Sequence, residues 1–275
     1  MRRYFFTRKL VFVVPAAFFV FLLASRTHAA GFSPDTSSTL TNNLISYYKL
    51  DDATDSFGTS TLTEYNSPSY ATSTCKKPNC GTQGTGNTNK HWRAATNLGI
   101  DGGAITISAW FRPNSINNGD NIFAYQGNDN SDVDYYLDYN QSNGKLVFGR
   151  DNHGHGATEV GETITLSTST WYYVAGTYDG TTLKYYRDGL LTASSTATGT
   201  GTGVVLDQIA IGSYENGTNI ASGMIDEVGY WNRALNSTEI SDLYNSSTGN
   251  TYTVPSSIPS ISSLSQFLSD VPQQH

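Results

Sequence analysis

The sequence predicts an all-β protein built from antiparallel strands, and three observations carry that reading. Stretches rich in Tyr, Thr, Val and Ile recur from Leu44 onward, separated by clusters of Gly, Asn, Asp and Ser. Asp179-Gly180 and Asp188-Gly189 each stand between two such stretches, and Asp-Gly accepts the positive φ angles of tight hairpin turns. One segment alone carries a convincing helix start, and it follows the last strand. Strands at this density without interleaved helices leave a sandwich, a barrel or a jelly roll. No repeat recurs at the spacing a propeller or solenoid requires.

The elements follow in order. Residues 44–50 form the first strand. In 104–111, Ile105, Ile107, Ala109 and Phe111 alternate with Thr106, Ser108 and Trp110, the period of a strand with one face in the core. Further strands are expected at 121–125, 133–139, 145–150 and 162–166, and a meander at 171–178, 183–187 and 190–195. The stretch 65–97 reads as loops, and Thr196 to Gly203 as a loop as well. Two more strands fall at 205–211 and 224–231. Asn236-Ser-Thr-Glu239 is a capping box, so a helix is expected from there to about Asn245.

The ends differ from the middle. Arg2, Arg3, Arg8 and Lys9 precede an apolar run over 10–24, and small residues surround Ala29. That is the pattern of a signal peptide over residues 1–30, which predicts a protein secreted or held at the cell surface. The run is shorter than the roughly twenty residues a bilayer span needs, so no span is expected in the mature chain. Residues 31–250 make the folded domain, and 251–275 read as a Ser- and Pro-rich tail or linker.

Charge narrows the partners. The 275 residues hold 16 Lys and Arg against 23 Asp and Glu, a net charge of −7. Five of the cations, Arg26 included, lie in the first thirty residues, so the mature domain is more acidic still. It has no cationic footprint for a phosphate backbone, which argues against nucleic-acid partners. The two cysteines, Cys75 and Cys80, are expected to form a disulfide in an exported chain, pinning one surface loop at a gain of about 2 kcal/mol.

Six pieces in order resemble the laminin-G-like, concanavalin-A-like jelly roll. They are Leu44-Ile-Ser-Tyr-Tyr-Lys-Leu-Asp51-Asp52 with Asp55-Ser-Phe-Gly58, Ile105-Thr-Ile-Ser-Ala-Trp110-Phe111, Trp171-Tyr-Tyr-Val-Ala175-Gly-Thr-Tyr-Asp179-Gly180, Tyr186-Arg-Asp188-Gly189, Ile211-Gly212, and Gly223-Met-Ile-Asp226-Glu-Val228. The resemblance spans about Leu40 to Ser247. It implies a two-sheet antiparallel jelly-roll sandwich with one short C-terminal helix, in which Trp110 and Trp171 fill the space between the sheets. It also implies a structural calcium where the first and last strands meet, held by Asp51 and Asp226 with Asp52 or Asp55 as a substitute. The same aspartates have a second reading as turn caps that accept backbone N–H groups.

The chemistry of the remaining residues favours binding. A retaining hydrolase needs two carboxyl groups about 5–5.5 Å apart, which a strand supplies from residues two or four apart on one face. No Glu-x-Asp-x-Glu run occurs, and Asp226 and Glu227, being adjacent, are expected to face opposite sides. Asp132, Asp134 and Asp138 have suitable spacing but lack a Glu among them. His153 and His155, with Asp151 and Glu159, read as a solvent loop before a metal site. Tyr125, Tyr135, Tyr136 and Tyr139, joined by Tyr185 and Trp231, supply the flat faces on which sugar rings stack. The sequence therefore predicts a non-catalytic, monomeric module that recognises a glycan or an extracellular protein. A glycoside hydrolase or polysaccharide lyase with a divergent site, and a structural spacer of a cell-surface protein, are the alternatives.

Overall fold

The computed structural model describes residues 31–33, 39–83, 89–95, 103–115, 120–127, 133–152, 157–197, 208–214 and 216–253. In chain order these form β1 (Gly31–Ser33), β2 (Leu44–Tyr48), β3 (Thr63–Tyr65), β4 (Ser69–Ala71), β5 (Cys80–Thr82), β6 (His91–Ala95), β7 (Ile105–Pro113), β8 (Asp120–Gly127) and β9 (Val133–Asn140). There follow β10 (Lys145–Asn152), β11 (Thr158–Thr163), β12 (Tyr172–Tyr178), β13 (Thr182–Arg187), β14 (Leu190–Thr196), β15 (Gln208–Ile211), β16 (Gly223–Trp231), α1 (Ser237–Tyr244) and β17 (Thr251–Thr253).

Two antiparallel sheets pack face to face, the jelly-roll sandwich that the sequence predicts. One has seven strands in the order β11-β10-β9-β8-β15-β6-β3. The other runs β14-β13-β12-β7-β16-β5-β4, with β2 also paired to β16. The first strand is thus a neighbour of the last long one, Tyr47 standing opposite Gly229 and Tyr48 opposite Val228.

Alternation along each strand sends one set of side chains between the sheets. Trp92, Phe111, Phe123, Tyr135, Leu137 and Phe148 meet there, all buried. The Phe111 and Phe123 rings stack across the gap with centroids 4.8 Å apart. Gly176 faces Phe148 so closely that a Cβ would overlap the ring.

A second apolar layer lies on the outer face of the eight-stranded sheet. Tyr47, Trp110, Tyr173 and Trp231 are covered there by Ile240 and Leu243 of α1 and by Phe32 and Tyr252 of the small β1–β17 ribbon. This corrects the expectation for the two tryptophans. Trp110 is buried, but it points away from the gap because its in-register partners on β12 and β16, Tyr173 and Asp226, lie on the outer face. Trp171 precedes β12, is half-buried against this same outer layer, and donates its indole N–H to the Thr74 carbonyl at 2.9 Å. Two other corrections concern boundaries. The region 65–97 holds β4, β5, β6 and the end of β3, short strands whose polar residues hid them. The tail assigned from residue 251 begins with a strand, β17, that closes against β1.

The helix starts as its capping box requires. Asn236 accepts the backbone N–H groups of Thr238 and Glu239, and the Glu239 carboxylate accepts the N–H of Asn236. Arg233 grips the same carboxylate through both terminal nitrogens at 2.7 and 2.8 Å, which fastens the helix to the end of β16.

Candidate functional site

Two places concentrate polar chemistry. The first is the outer face of the seven-stranded sheet. Strand register sets Glu159, Gly149, Tyr136, Tyr125, Ala210 and Arg93 in one row across six strands. Tyr136 lies over Gly149, where a Cβ would overlap its ring, and donates its hydroxyl to Glu159 at 3.0 Å. Tyr214, in the turn after β15, stands edge-on to Tyr125 with ring centroids 5.2 Å apart. Its turn continues to Gly217, which rests on the His91 imidazole, itself stacked on Tyr65 at 4.8 Å. Beyond Tyr136 the face opens into a depression lined by Lys145, Val147, Glu159, Gly161, Glu162 and Thr163. Gly161 lies in its floor, where any side chain would strike the backbone of Leu146, while Gly149 is covered by the Tyr136 ring.

This geometry corrects the tyrosine platform. Tyr135 and Tyr139 point between the sheets, and the Tyr139 hydroxyl is spent on the Ile164 carbonyl. Tyr185 also points inward and bonds Glu162, while Trp231 lies beneath the β1–β17 ribbon and bonds the Leu40 carbonyl. Tyr125 reaches the outer face but is roofed by Tyr214 and wholly buried. Tyr136 alone of the four touches the depression's lining, through its bond to Glu159, and is 6% exposed. Period-2 alternation put two of the four inside, and a loop with no strand signal covered a third. Tyr214, half-buried, was not singled out, since a lone Tyr in a Gly-Ser-Tyr turn carries no spacing to notice. Asp138 accepts the Asn121 backbone N–H at 2.7 Å and is buried, so it braces β8 against β9. Asp132, His153 and His155 lie outside the described residues.

The second place is the outer side of β16. The strand pairs with β5 through Met224 and Ile225 and with β2 through Val228 to Trp231, and the change of partner falls on a bulge. Glu227 takes a left-handed φ of 52° at that bulge. The extra residue puts Asp226 and Glu227 on the same face, against the expectation that they point apart. Both are buried. Asp226 Oδ2 accepts the backbone N–H groups of Lys76 and Lys77 at 3.0 and 2.9 Å. These belong to the loop closed by the Cys75–Cys80 disulfide, which is formed as expected. Asp51 holds the same loop by accepting the Asn79 N–H at 3.2 Å. Lys76 lies over the Trp110 ring at 3.8 Å.

Asp226 Oδ1 and both oxygens of Glu227 have no donor in hydrogen-bonding geometry. Tyr47 and Thr251 are the polar side chains nearest Glu227, but the Tyr47 hydroxyl donates to the Asn250 carbonyl. Burial pushes the Asp226 carboxyl well above its ordinary range, and the charge of Glu227 pushes it further. Burial likewise raises Glu227 to about 7. Asp52 stands apart from them. It is exposed, and its Oδ1 accepts the N–H and hydroxyl of Thr54 at 2.7 and 2.6 Å, which makes it a turn cap. Asp55 is a cap too, accepting N–H groups of Tyr47, Phe57 and Gly58. Among the described residues, no three acidic, His or Cys side chains form a metal-binding group, so the Asp51, Asp52 and Asp226 set is not assembled as written.

A two-sheet jelly roll with a layered outer face, a capped helix after its last strand and a depression on its open sheet defines a class of lectin-like β-sandwich. The chain belongs to the laminin-G-type family of the concanavalin A-like lectin/glucanases superfamily, whose family model matches residues 85–241, more than half its length. No curated protein matches it. Among solved structures it is similar to the binding domain of botulinum neurotoxin DC in complex with SialylT, at 15% identity and a TM-score of 0.60 over 75% of this chain and 52% of that one. It is similar to a structure of botulinum neurotoxin type C, whose cell entry is dependent upon interaction with two ganglioside molecules, at 16% identity and a TM-score of 0.60, over 76% of this chain and 52% of that one. It also resembles domain 4 of AbnA, a GH43 extracellular arabinanase of Geobacillus stearothermophilus in complex with arabinotriose, at 18% identity and a TM-score of 0.57 over 73% of this chain and 97% of that domain. The chain thus spans about half the length of the neurotoxin structures and nearly all of the arabinanase domain.

Proposed function

We propose that this protein is a secreted, non-catalytic module that binds carbohydrate in the depression between β10 and β11 on the outer face of the seven-stranded sheet. The observation that carries the reading is the make-up of that depression. Val147 and the outward-facing Gly161 leave a floor that admits a sugar ring, while Lys145, Glu159, Glu162 and Thr163 supply donors and acceptors around it. The similar structures include an arabinanase domain in complex with arabinotriose and a neurotoxin whose cell entry depends on two ganglioside molecules, which supports a glycan as the ligand class. The signal-peptide pattern supports delivery outside the cell. A glycan array followed by calorimetry on the best hit tests the reading. Lys145→Ala and Glu159→Ala are expected to weaken binding at least tenfold with the melting temperature unchanged. Binding that is indifferent to both, or release of reducing sugar from any polysaccharide, overturns it.

Calcium is the second part of the proposal. Ca²⁺ takes six to eight hard oxygens; Asp226 and Glu227 offer three that accept no hydrogen bond, and among the described residues no third acidic side chain joins them in a metal-binding group, so backbone carbonyls and water would have to complete the shell. Asp52 does not fit, being committed to Thr54. When bound, the ion supplies positive charge that offsets the mutual repulsion of the pair, which is a structural role. The melting temperature is expected to rise by several degrees in calcium over chelator, and Glu227→Gln is expected to abolish the difference. Equal melting in both solutions overturns the calcium assignment and leaves the glycan reading standing.

A further inference from the structure

We propose that Met224 is an oxidation site for hydrogen peroxide, at which the Arg112 guanidinium holds the oxygen of the resulting sulfoxide. Thiols and thioethers are the groups that peroxide oxidises first, and this chain has few of them. It holds two methionines and two cysteines. Met1 lies outside the described residues, and Cys75 and Cys80 are joined in the disulfide, which leaves no free thiol. The Met224 thioether, half-buried on the outer side of β16, is then the one unoxidised sulfur among the described residues.

A methionine in an apolar core disrupts its packing on oxidation, because the sulfoxide is polar. Met224 stands in a polar row instead. Its in-register neighbours are Arg112 on β7 and Thr82 on β5. Arg112 Nη1 donates to the sulfur at 3.5 Å, and Thr74 Oγ1, whose hydrogen goes to the Ser73 carbonyl, lies 3.6 Å from it. A thioether is a weak acceptor, and among the described residues Arg112 forms no ion pair, so its charge has no strong partner. The sulfoxide oxygen is a far better acceptor, and it forms at a sulfur lone pair, the side from which Arg112 already donates. Arg112 is half-buried and Thr74 is exposed, so both side chains can step back to admit it. In the reaction the sulfur lone pair takes one oxygen of hydrogen peroxide, the O–O bond breaks, and the departing hydroxide collects the proton of the transferred oxygen and leaves as water. Sulfur is oxidised from thioether to sulfoxide while the peroxide is reduced. The new hydrogen bond ties β16 to β7 on the same face as Asp226, beside the segment that leads into the disulfide loop.

Treatment of the chain with dilute hydrogen peroxide, followed by peptide mass spectrometry and melting curves, tests this. One oxygen is expected on the peptide that carries Met224, and the oxidised chain is expected to melt about 2–5 °C above the untreated one. Met224→Leu is expected to remove the shift. Arg112→Leu is expected to reverse its sign, so that oxidation lowers the melting temperature, and Arg112→Lys, which keeps a donor, is expected to restore part of the rise. A folded wild-type chain that takes up no oxygen at Met224 overturns the proposal, since the sulfur would then be out of reach. So does an oxidised wild-type chain that melts at or below the untreated one. A rise that survives Arg112→Leu also overturns it, because some other donor would then hold the oxygen.

Discussion

Asp226 and Glu227, adjacent in the chain, present both carboxylates to one face of β16 because the bulge between Asp226 and Gly229 inserts a residue with left-handed backbone. Burying two like charges side by side is unfavourable in itself. The Lys76 and Lys77 amides offset part of that cost at Asp226, and the Lys76 ammonium lies close enough to Asp226 to interact with its charge.

A pH dependence follows. Glu227 has its carboxyl raised to about 7 by burial, against an ordinary value of 4.5. A raised carboxyl stabilises the fold fully below the unfolded value, and that stability is lost as pH rises toward the folded one. In chelator, the protein is expected to lose about 3 kcal/mol between roughly pH 4.5 and 7. Denaturant titrations across that range check it, and Glu227→Gln is expected to reduce the slope, with the upward shift that burial gives Asp226 remaining.

The Arg233–Glu239 pair has the opposite sign. Burial works against the Glu239 charge, but the Arg233 guanidinium, the Thr39 hydroxyl and the Asn236 N–H outweigh it and hold the carboxyl down at about 2. Its contribution is present above the ordinary value of 4.5 and is lost as pH falls toward 2. Glu239→Gln is expected to cost about 2–3 kcal/mol in urea unfolding at neutral pH, because it leaves Arg233 with no carboxylate and weakens the cap of α1.

Opening the Cys75–Cys80 loop removes more than a short cross-link. The loop carries three N–H donors to Asp51 and Asp226. Cys75→Ser with Cys80→Ser is expected to lower stability by about 2–4 kcal/mol and to remove any calcium effect on melting. Calorimetry with and without reductant gives the same comparison in the unaltered chain.

Glycine positions separate core from site. Gly176→Ala drives a methyl group into the Phe148 ring between the sheets, and it is expected to destabilise by about 2–3 kcal/mol. Gly149→Ala instead displaces Tyr136 on the outer face. It is expected to weaken glycan binding more than tenfold with a smaller loss of stability, which titration calorimetry and melting curves on the two variants resolve.

The architecture was legible because strand period, Asp-Gly turns and one capping box are local signals. Asp179-Gly180, Asp188-Gly189 and Asn236 sit where the sequence puts them. The candidate sites were less so, for physical reasons. Whether a tyrosine faces sugar or core depends on which sheet face its parity selects and on what packs above it, and Tyr214 over Tyr125 is a contact between residues 89 positions apart. The bulge at Glu227 inverts the rule that adjacent residues point apart, and no residue type in Met-Ile-Asp-Glu-Val announces it. The strands between 65 and 97 escaped because pieces of three residues, and of five in His91–Ala95, are too short to carry a period.

The pairing of Gly31 with Thr253 brings the two ends of the folded domain to one spot, beneath Phe57 and beside Tyr47. Pulling on flanking chain at both ends would peel this small ribbon one bond at a time, and the large sheets would bear no load until it had parted. Under tension the molecule would lengthen by a short step at low force while both large sheets stayed whole.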